Sequence, residues 1–279
     1  MPDFSRRTFL QAAAAGAAAL TVGPALQTAA ARKQIPIGVQ LYSVRKDIPN
    51  DVPGTLTAIR KMGYDGVEFA GYYGRDAKTL RQLLDDNGLK CCGSHVGLQT
   101  ITGDQLPATI EFNQALGNQF LIVPSARGVN TLDGWIKTAE TLNGVAEKLK
   151  PLEMYVGFHN HSIEFQPIEG QQPMDVIFGK TAREVVMQLD VGHCVQAGAD
   201  PVVYLNRYPG RALTVHVKEW SSTKKDAVVG EGDVKWPPVF QACEAVGGTR
   251  WYILEEETGA FNGLDGIEKS IQSLKQLLA

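Results

Sequence analysis

The feature that most limits how this chain can fold is an alternation, repeated eight times, of short apolar or β-branched runs with longer segments of helical periodicity. Eight such units in about 245 residues, with no internal linker rich in Pro, Gly or Ser, predict one closed α/β barrel of the (β/α)8 (TIM) type. No Gly-rich phosphate turn follows the first strand, which disfavours a dinucleotide-binding sheet. The predicted strands are Ile37–Leu41, Gly66–Phe69, Leu89–His95, Phe120–Pro124, Tyr155–His159, Val185–Asp190, Leu213–Val217 and Trp251–Glu255.

Helical periodicity lies between these strands, and several helices are followed by a glycine that suits a left-handed C-cap. Gly63, Gly88 and Gly247 are in this position. The strongest helical predictions are Val52–Met62, Ala77–Asn87, Leu132–Leu149, Val239–Val246 and Ile267–Leu278.

The N-terminus predicts an export signal. Arg6 and Arg7 precede an apolar, Ala-rich stretch, and small residues lie before the next charged pair. The stretch has only about 15 residues before Pro24, short of the ~20 that span a bilayer. We therefore expect a cleavable twin-arginine signal at 1–31, a single barrel domain at 35–279, a periplasmic or secreted location, and no stable membrane insertion after cleavage.

Charge and cysteine usage exclude two further classes. The formal net charge of -3 gives no electrostatic attraction for a polyanion, so we expect no nucleic-acid partner. The four cysteines form no recognisable disulfide framework, because Cys91 and Cys92 are adjacent while Cys194 and Cys243 lie in different predicted elements. Buried free thiols are the expectation.

All five histidines fall at or just after the C-terminal end of a predicted strand. In a (β/α)8 barrel these ends meet on one face, where active sites are built. Residues far apart in sequence thus become neighbours, which favours one shared site over scattered structural histidines. The five are His95, His159, His161, His193 and His216.

Carboxylates occupy equivalent positions. Glu68, Asp190 and Glu255 end predicted strands, and Glu164 lies in the loop beyond the fifth strand. Mixed imidazole and carboxylate ligands suit Mn²⁺, Co²⁺, Mg²⁺ or Zn²⁺, with positions left open for substrate. A divalent-metal site is therefore predicted. Lys218, two residues after a strand-end histidine, either contacts a substrate oxygen, acts as an acid, or forms a salt bridge.

The chain resembles a known family over Ile35 to Leu278. The segments that carry the resemblance are GVQLYSVR, GYDGVEF, GFHNHSIEF, LDVGHCVQAGADP, LTVHVKEW and VGEGDVKWPPVFQA leading to YILEEE. That family is the sugar phosphate isomerase/epimerase family, also called xylose isomerase-like or AP endonuclease family 2 barrels. The resemblance implies a metal held by residues that end strands five to eight and a substrate contact from His193. The implied ligands are His159, Asp190, His216 and Glu255.

The chain departs from the isomerase and epimerase members at the fifth strand, where their glutamate ligand also serves as an acid/base group. Here the position is His159. If it binds metal it cannot remove a proton alpha to a carbonyl, so that task passes to Glu255, His161 or Glu164. Glu164 could instead reach back as the fourth ligand. The difference favours related chemistry, such as β-elimination or hydration, alongside epimerisation.

The sequence is consistent with three functions. The leading one is a metal-dependent isomerase or epimerase of a sugar or sugar phosphate. The alternatives are a lyase or hydratase on a 3-keto-sugar or keto-glycoside, and a non-catalytic sugar-binding barrel. Cleavage of abasic DNA is disfavoured by the charge, the few histidines and export. The partner is a small-molecule sugar or keto-sugar, and a homo-oligomer is compatible with the sequence. Expected substrate contacts are His95, His193, Glu68, Tyr42 and Trp220.

Overall fold

The computed structural model describes residues 34–257 and 263–279, and the predicted signal at 1–31 lies outside them. Eight parallel strands, β1 to β8, pair in sequence order and close through a β1–β8 pair. The closed barrel confirms the predicted fold. No helix within the described ranges combines the length and hydrophobicity that crossing a bilayer requires.

Each predicted strand coincides with an observed one, and where bounds differ the prediction is one residue too long. At β1 the reason is local: Gln40 Oε1 accepts a hydrogen bond from Tyr42 N (3.1 Å), which turns the chain into a 3-10 helix at Leu41–Val44. The strands are β1 Ile37–Gln40, β2 Gly66–Phe69, β3 Lys90–His95, β4 Phe120–Val123, β5 Tyr155–His159, β6 Val186–Asp190, β7 Thr214–Val217 and β8 Trp251–Leu254.

The helices surround the barrel, and the predicted bounds of the first, second and fourth are confirmed. They are α1 Val52–Met62, α2 Ala77–Asn87, α3 Leu106–Leu116, α4 Leu132–Leu149, α5 Pro173–Lys180, α6 Val191–Gln196, α7 Pro201–Arg207, α8 Trp236–Ala242 and α9 Leu264–Leu278. Side-chain caps fix several starts: the Asp51 carboxylate accepts from Gly54 N at α1, and Asp76 accepts from Thr79 N at α2.

Two helix predictions need correction. Val239–Val246 is α8 followed by a π turn at Cys243–Gly247, and α9 begins at Leu264 rather than Ile267. The left-handed residue after the π turn is Gly248 (φ 72°), not Gly247. Gly63 and Gly88 are left-handed caps, as predicted.

The strands place polar side chains at the C-terminal end of the barrel interior. Strand register pairs Gln40 with Glu68, His159 with Gln188, and Asp190 with His216. All of these side chains are buried. The four cysteines are free and buried, which confirms the expectation of buried thiols.

Candidate active site and metal centre

Four side chains from adjacent strands converge at the C-terminal mouth. His159 ends β5, Asp190 ends β6, His216 lies in β7 and Glu255 follows β8. One nitrogen or carboxylate oxygen from each lies within 4.8 Å of all the others, and all four side chains are buried. The structure thus brings together the four residues that the family resemblance implied as ligands.

The chemistry of this cluster fits a divalent cation. Asp190 Oδ1 accepts from His193 N (2.7 Å), while Asp190 Oδ2 is buried without a hydrogen-bond partner among the described residues. His216 Nδ1 lies 3.0 Å from Glu255 Oε2 and 3.8 Å from Asp190 Oδ2. Two imidazoles and two carboxylates are a ligand set that Mn²⁺, Co²⁺ or Zn²⁺ accepts. The cluster is therefore consistent with a metal site.

On each imidazole of the cluster, one ring nitrogen lies within hydrogen-bond distance of a buried side chain. Glu68 Oε2 lies 2.7 Å from His216 Nε2, and Gln188 Oε1 lies 3.2 Å from His159 Nδ1. These contacts leave His216 Nδ1 and His159 Nε2 as the nitrogens available for a cation. His95, His159 and His216 also form a group of three potential ligands. However, His95 Nε2 is occupied by Gln188 Oε1 (2.8 Å), so the four-residue cluster is the better metal centre.

Glu68 is the centre of a buried network beneath the cluster. Its carboxylate accepts from Gln40 Nε2 and Gln188 Nε2, both at 2.7 Å, and lies 3.2 Å from His95 Nε2. Burial alone would raise the pKa of Glu68, but His95 and His216 outweigh it and lower this pKa below the usual range. An ionised carboxylate can only accept, so both imidazoles donate to it.

Opposing effects also set the charge of His216. Burial would lower the pKa of His216, yet the carboxylates of Glu68 and Glu255 outweigh it and raise this pKa to about 10. By contrast, burial together with the neighbouring His216 and His95 lowers the pKa of His159. The surroundings therefore shift the pKa values of the two imidazoles in opposite directions although both are buried.

A 3-10 turn at Ser162–Phe165, which begins shortly after β5, carries Glu164. Glu164 Oε2 accepts from His161 N (2.7 Å), and the carboxyl is buried. Burial raises the pKa of Glu164 to about 7, despite that hydrogen bond. Glu164 belongs to neither group of potential ligands found within 34–257 and 263–279, whereas His159 belongs to both. Of the two alternatives at the fifth strand, the geometry favours His159 as ligand.

Lys218 forms the salt bridge that was one of its three predicted alternatives. Its ammonium contacts the Glu257 carboxylate and lies 3.6 Å from Glu255 Oε2. Burial would lower the pKa of Lys218, but Glu255, Asp190 and Glu257 outweigh it and raise this pKa. The side chain is a fixed cation beside the cluster.

A cavity of about 690 Å³ opens above the cluster, and its lining includes His159, Glu164 and Glu255. Two of the expected substrate contacts, Tyr42 and His95, line it, as does His161.

The other three expected contacts are placed elsewhere. Glu68 is fully buried below the imidazoles, so it has no surface to offer a substrate. Trp220 is half-buried and is not among the lining residues; its backbone oxygen accepts from Asp233 N instead. His193 lies in α6, with its ring centre 4.8 Å from that of His161, and does not line the cavity either.

Sequence reasoning missed Gln40, Gln188, Arg127 and Glu257. Gln188 precedes Asp190 by two residues and so lies on the same face of β6, a signal that strand alternation offered. Arg127 and Glu257 come from loops, where no periodicity marks them.

A family model described as xylose isomerase-like TIM barrel matches residues 56–277, and a model of the twin-arginine translocation pathway signal matches residues 3–23. The second match suggests export.

Similar proteins carry related activities. Inosose dehydratase of Lacticaseibacillus casei is 25% identical over 235 residues, which cover 70% of this chain and 78% of that protein. The structure of a sugar phosphate isomerase/epimerase from Parabacteroides distasonis has a TM-score of 0.74 at 25% identity, covering 90% of this chain and 96% of the other. AP endonuclease, family 2, from Brucella melitensis shares the fold, with a TM-score of 0.65 at 19% identity, covering 84% and 97%.

Proposed function

This chain belongs to the xylose isomerase-like TIM barrel family, and we propose that it is a metal-dependent enzyme that removes a proton alpha to the carbonyl of a sugar or keto-sugar. One observation carries the proposal. One cavity is lined by His159 and Glu255, two of the four clustered potential ligands, and also by Glu164, a buried carboxyl whose pKa burial raises to about 7.

We assign the cation, Mn²⁺, Co²⁺, Mg²⁺ or Zn²⁺, to His159, Asp190, His216 and Glu255. Bound there, a divalent metal would polarise a substrate carbonyl and make the neighbouring C–H more acidic. Glu68 and Gln188 are positioning residues, because they hold the imidazoles from below.

Glu164 is the proposed base. A carboxylate whose pKa lies near neutral pH accepts a proton more readily than one with an ordinary pKa. Its free oxygen takes the alpha proton, and the electron pair of the C–H bond moves toward the carbonyl. Return of that proton from Glu164 to the adjacent carbon, with the proton of the alpha-carbon hydroxyl passing to the former carbonyl oxygen, gives an isomer. Protonation of the same carbon from the other face requires a second group. We assign this role to His161, which also lines the cavity.

Loss of water is the second candidate outcome. After the alpha proton has been removed, expulsion of a β-hydroxyl group with a proton gives an unsaturated keto-sugar and water. Two observations favour it: His159 stands where isomerase and epimerase members of the family have a glutamate acid/base group, and a curated relative is an inosose dehydratase. A lyase or hydratase acting on a 3-keto-sugar or keto-glycoside would use the same residues.

The remaining expectations complete the proposal. His95 and Tyr42 contact the substrate from the cavity wall. His193, whose ring lies beside that of His161, acts through His161. Lys218, paired with Glu257, keeps positive charge beside Glu255. The mature domain, 35–279, works in the periplasm or outside the cell after the signal at 1–31 has been removed. Assembly into a homo-oligomer stays a prediction.

Solvent exchange tests the function. The Mn²⁺-loaded protein is incubated in D₂O with a panel of ketoses, aldoses and 3-keto-sugars, and products are analysed by mass spectrometry. We expect deuterium at the alpha carbon or loss of water, and EDTA treatment should abolish both. Binding of a sugar without exchange or elimination across the panel would contradict catalysis and support the sugar-binding barrel instead.

A further inference from the structure

We infer that the substrate has two parts: the reacting sugar at the metal cluster, and a second ring, joined to it by a glycosidic bond, that lies at the cavity rim between Tyr42 and Ile163. The inference rests on the proposed function and extends it to a substrate class, glycosides rather than free monosaccharides.

The first observation is where apolar surface is exposed. Four large hydrophobic side chains are exposed within 34–257 and 263–279, and two of them, Tyr42 (44%) and Ile163 (64%), line the same cavity. Tyr42 follows β1 and Ile163 follows β5, strands that lie opposite each other in an eight-strand closed barrel. The exposed apolar side chains therefore flank the mouth from opposite sides.

Contacts with Arg45 fix the orientation of the Tyr42 ring. The Arg45 guanidinium lies 4.4 Å from the centre of the Tyr42 ring, and Arg45 Nη1 donates to Tyr42 O at 2.9 Å. The cation–π contact covers one face of the ring and leaves the other available. Aromatic rings fixed in this way bind the apolar face of a pyranose or of another aromatic ring.

Ile163 is fixed by the turn that places Glu164. The Glu164 carboxylate accepts from His161 N, and the next residue, Phe165, is buried, so the two neighbours face inward and Ile163 faces out. Ile163 at the rim and Glu164, the proposed base, therefore lie in the same short turn.

Size and polarity indicate the occupant. The cavity of about 690 Å³ falls within the roughly 300–1,000 Å³ typical of sites for drug-sized ligands, which are much larger than one hexose. Its lining contains polar side chains, among them His159, Glu164 and Arg127, and apolar residues, among them Pro124, Ala126, Val129 and Trp135. A ring with an apolar face fits against the apolar residues, while a hydroxylated carbonyl compound fits beside the polar groups.

Calorimetric titration with unreactive sugars tests the inference. The Mg²⁺-loaded protein is titrated with D-glucose, methyl β-D-glucoside, cellobiose and phenyl β-D-glucoside. We expect cellobiose or the phenyl glucoside to bind at least about tenfold more tightly than glucose and the methyl glucoside, an advantage of about 1.4 kcal/mol. The stronger of the two shows whether the second ring is a sugar or an aromatic aglycone.

Variants locate the contact. Ile163→Ser should remove most of the advantage and leave glucose affinity unchanged, and Tyr42→Ala should also remove most of the advantage. Val203→Ser, which alters an exposed apolar residue of α7, should preserve it. Equal affinity for all four sugars, no binding of any of them, or an advantage that survives in both rim variants would overturn the inference. Because the readout is binding, loss of the proposed catalysis alone would leave this result unchanged.

Discussion

At the level of single residues, the account depends on Glu164 being chemically separate from the metal ligands. Its carboxyl is buried, accepts one backbone hydrogen bond and lines the cavity, and burial raises its pKa to about 7. A base must be deprotonated to act. The exchange rate should therefore rise with pH through about 7 and level off above it, because the folded protein holds this proton more tightly than an ordinary carboxyl does.

Glu164→Gln should lower the exchange rate about 100- to 10,000-fold and remove the pH-dependent rise. The pH profile of deuterium incorporation checks this result. Glu169→Gln, an exposed carboxylate shortly after the same turn, is the matched control and should keep the wild-type profile. An unchanged profile in Glu164→Gln would assign the base to another residue.

The position of a residue in a strand determined how much of the site could be predicted from the sequence. Position at a strand end predicts that a side chain lies near the barrel mouth, and His159, Asp190, His216 and Glu255 do meet there. It does not reveal depth. Glu68 also lies near the end of a strand, yet its carboxylate is below the imidazoles. Gly93 opposite it leaves room for this carboxylate, which a Cβ at Gly93 would overlap.

At the level of elements, β2 and β6 supply the support for the ligands that β5 and β7 carry. Glu68 on β2 is within hydrogen-bond distance of His216 Nε2, so removing its charge should leave the imidazole less firmly oriented. Loss of such a supporting partner typically weakens metal binding by about 10- to 100-fold. We expect Glu68→Gln to weaken Mn²⁺ affinity in that range.

Competition with a fluorescent metal chelator measures this affinity. Glu111→Gln, an exposed carboxylate on α3, serves as control and should bind Mn²⁺ like the wild type. Wild-type affinity in Glu68→Gln, with the fold intact by circular dichroism, would show that the buried network does not support the metal site.

The elements themselves were predicted where the local signals agree. Capping residues and apolar periodicity coincide at α1 and α2, and both helices have the predicted bounds. At α8 the helix begins at Trp236, three residues before the predicted start, and two prolines follow Trp236. They lie in the first turn, where a missing N–H costs no helical hydrogen bond, so the helix begins earlier. The π turn after α8 has no comparable sequence signal.

For the whole molecule, closing the barrel brings together ligands that are distant in sequence, so metal binding and folding should be coupled. A ligand present at 100 times its Kd stabilises the native state by about 2.7 kcal/mol, which corresponds to a rise in Tm of roughly 5–10 °C for a domain of this size. We expect a rise of that order when Mn²⁺ is added to EDTA-treated protein, measured by thermal denaturation.

Asp190→Asn should reduce that rise strongly, because it removes the charge from the carboxylate whose Oδ2 is buried with no hydrogen-bond partner in the described part of the chain. Asp86→Asn on α2 is the control and should retain it.

The count of eight strand–helix units was enough to predict the closed barrel. The substrate could not be predicted in the same way, because loops such as 124–129 shape the cavity without any sequence periodicity.

The most direct test of the proposed site is the metal content of two variants purified side by side, His159→Ala and Glu164→Gln, measured by inductively coupled plasma mass spectrometry. We expect His159→Ala to lose the metal and Glu164→Gln to retain it at the wild-type level. Metal lost from Glu164→Gln but kept in His159→Ala would reverse the roles of ligand and base and contradict the mechanism.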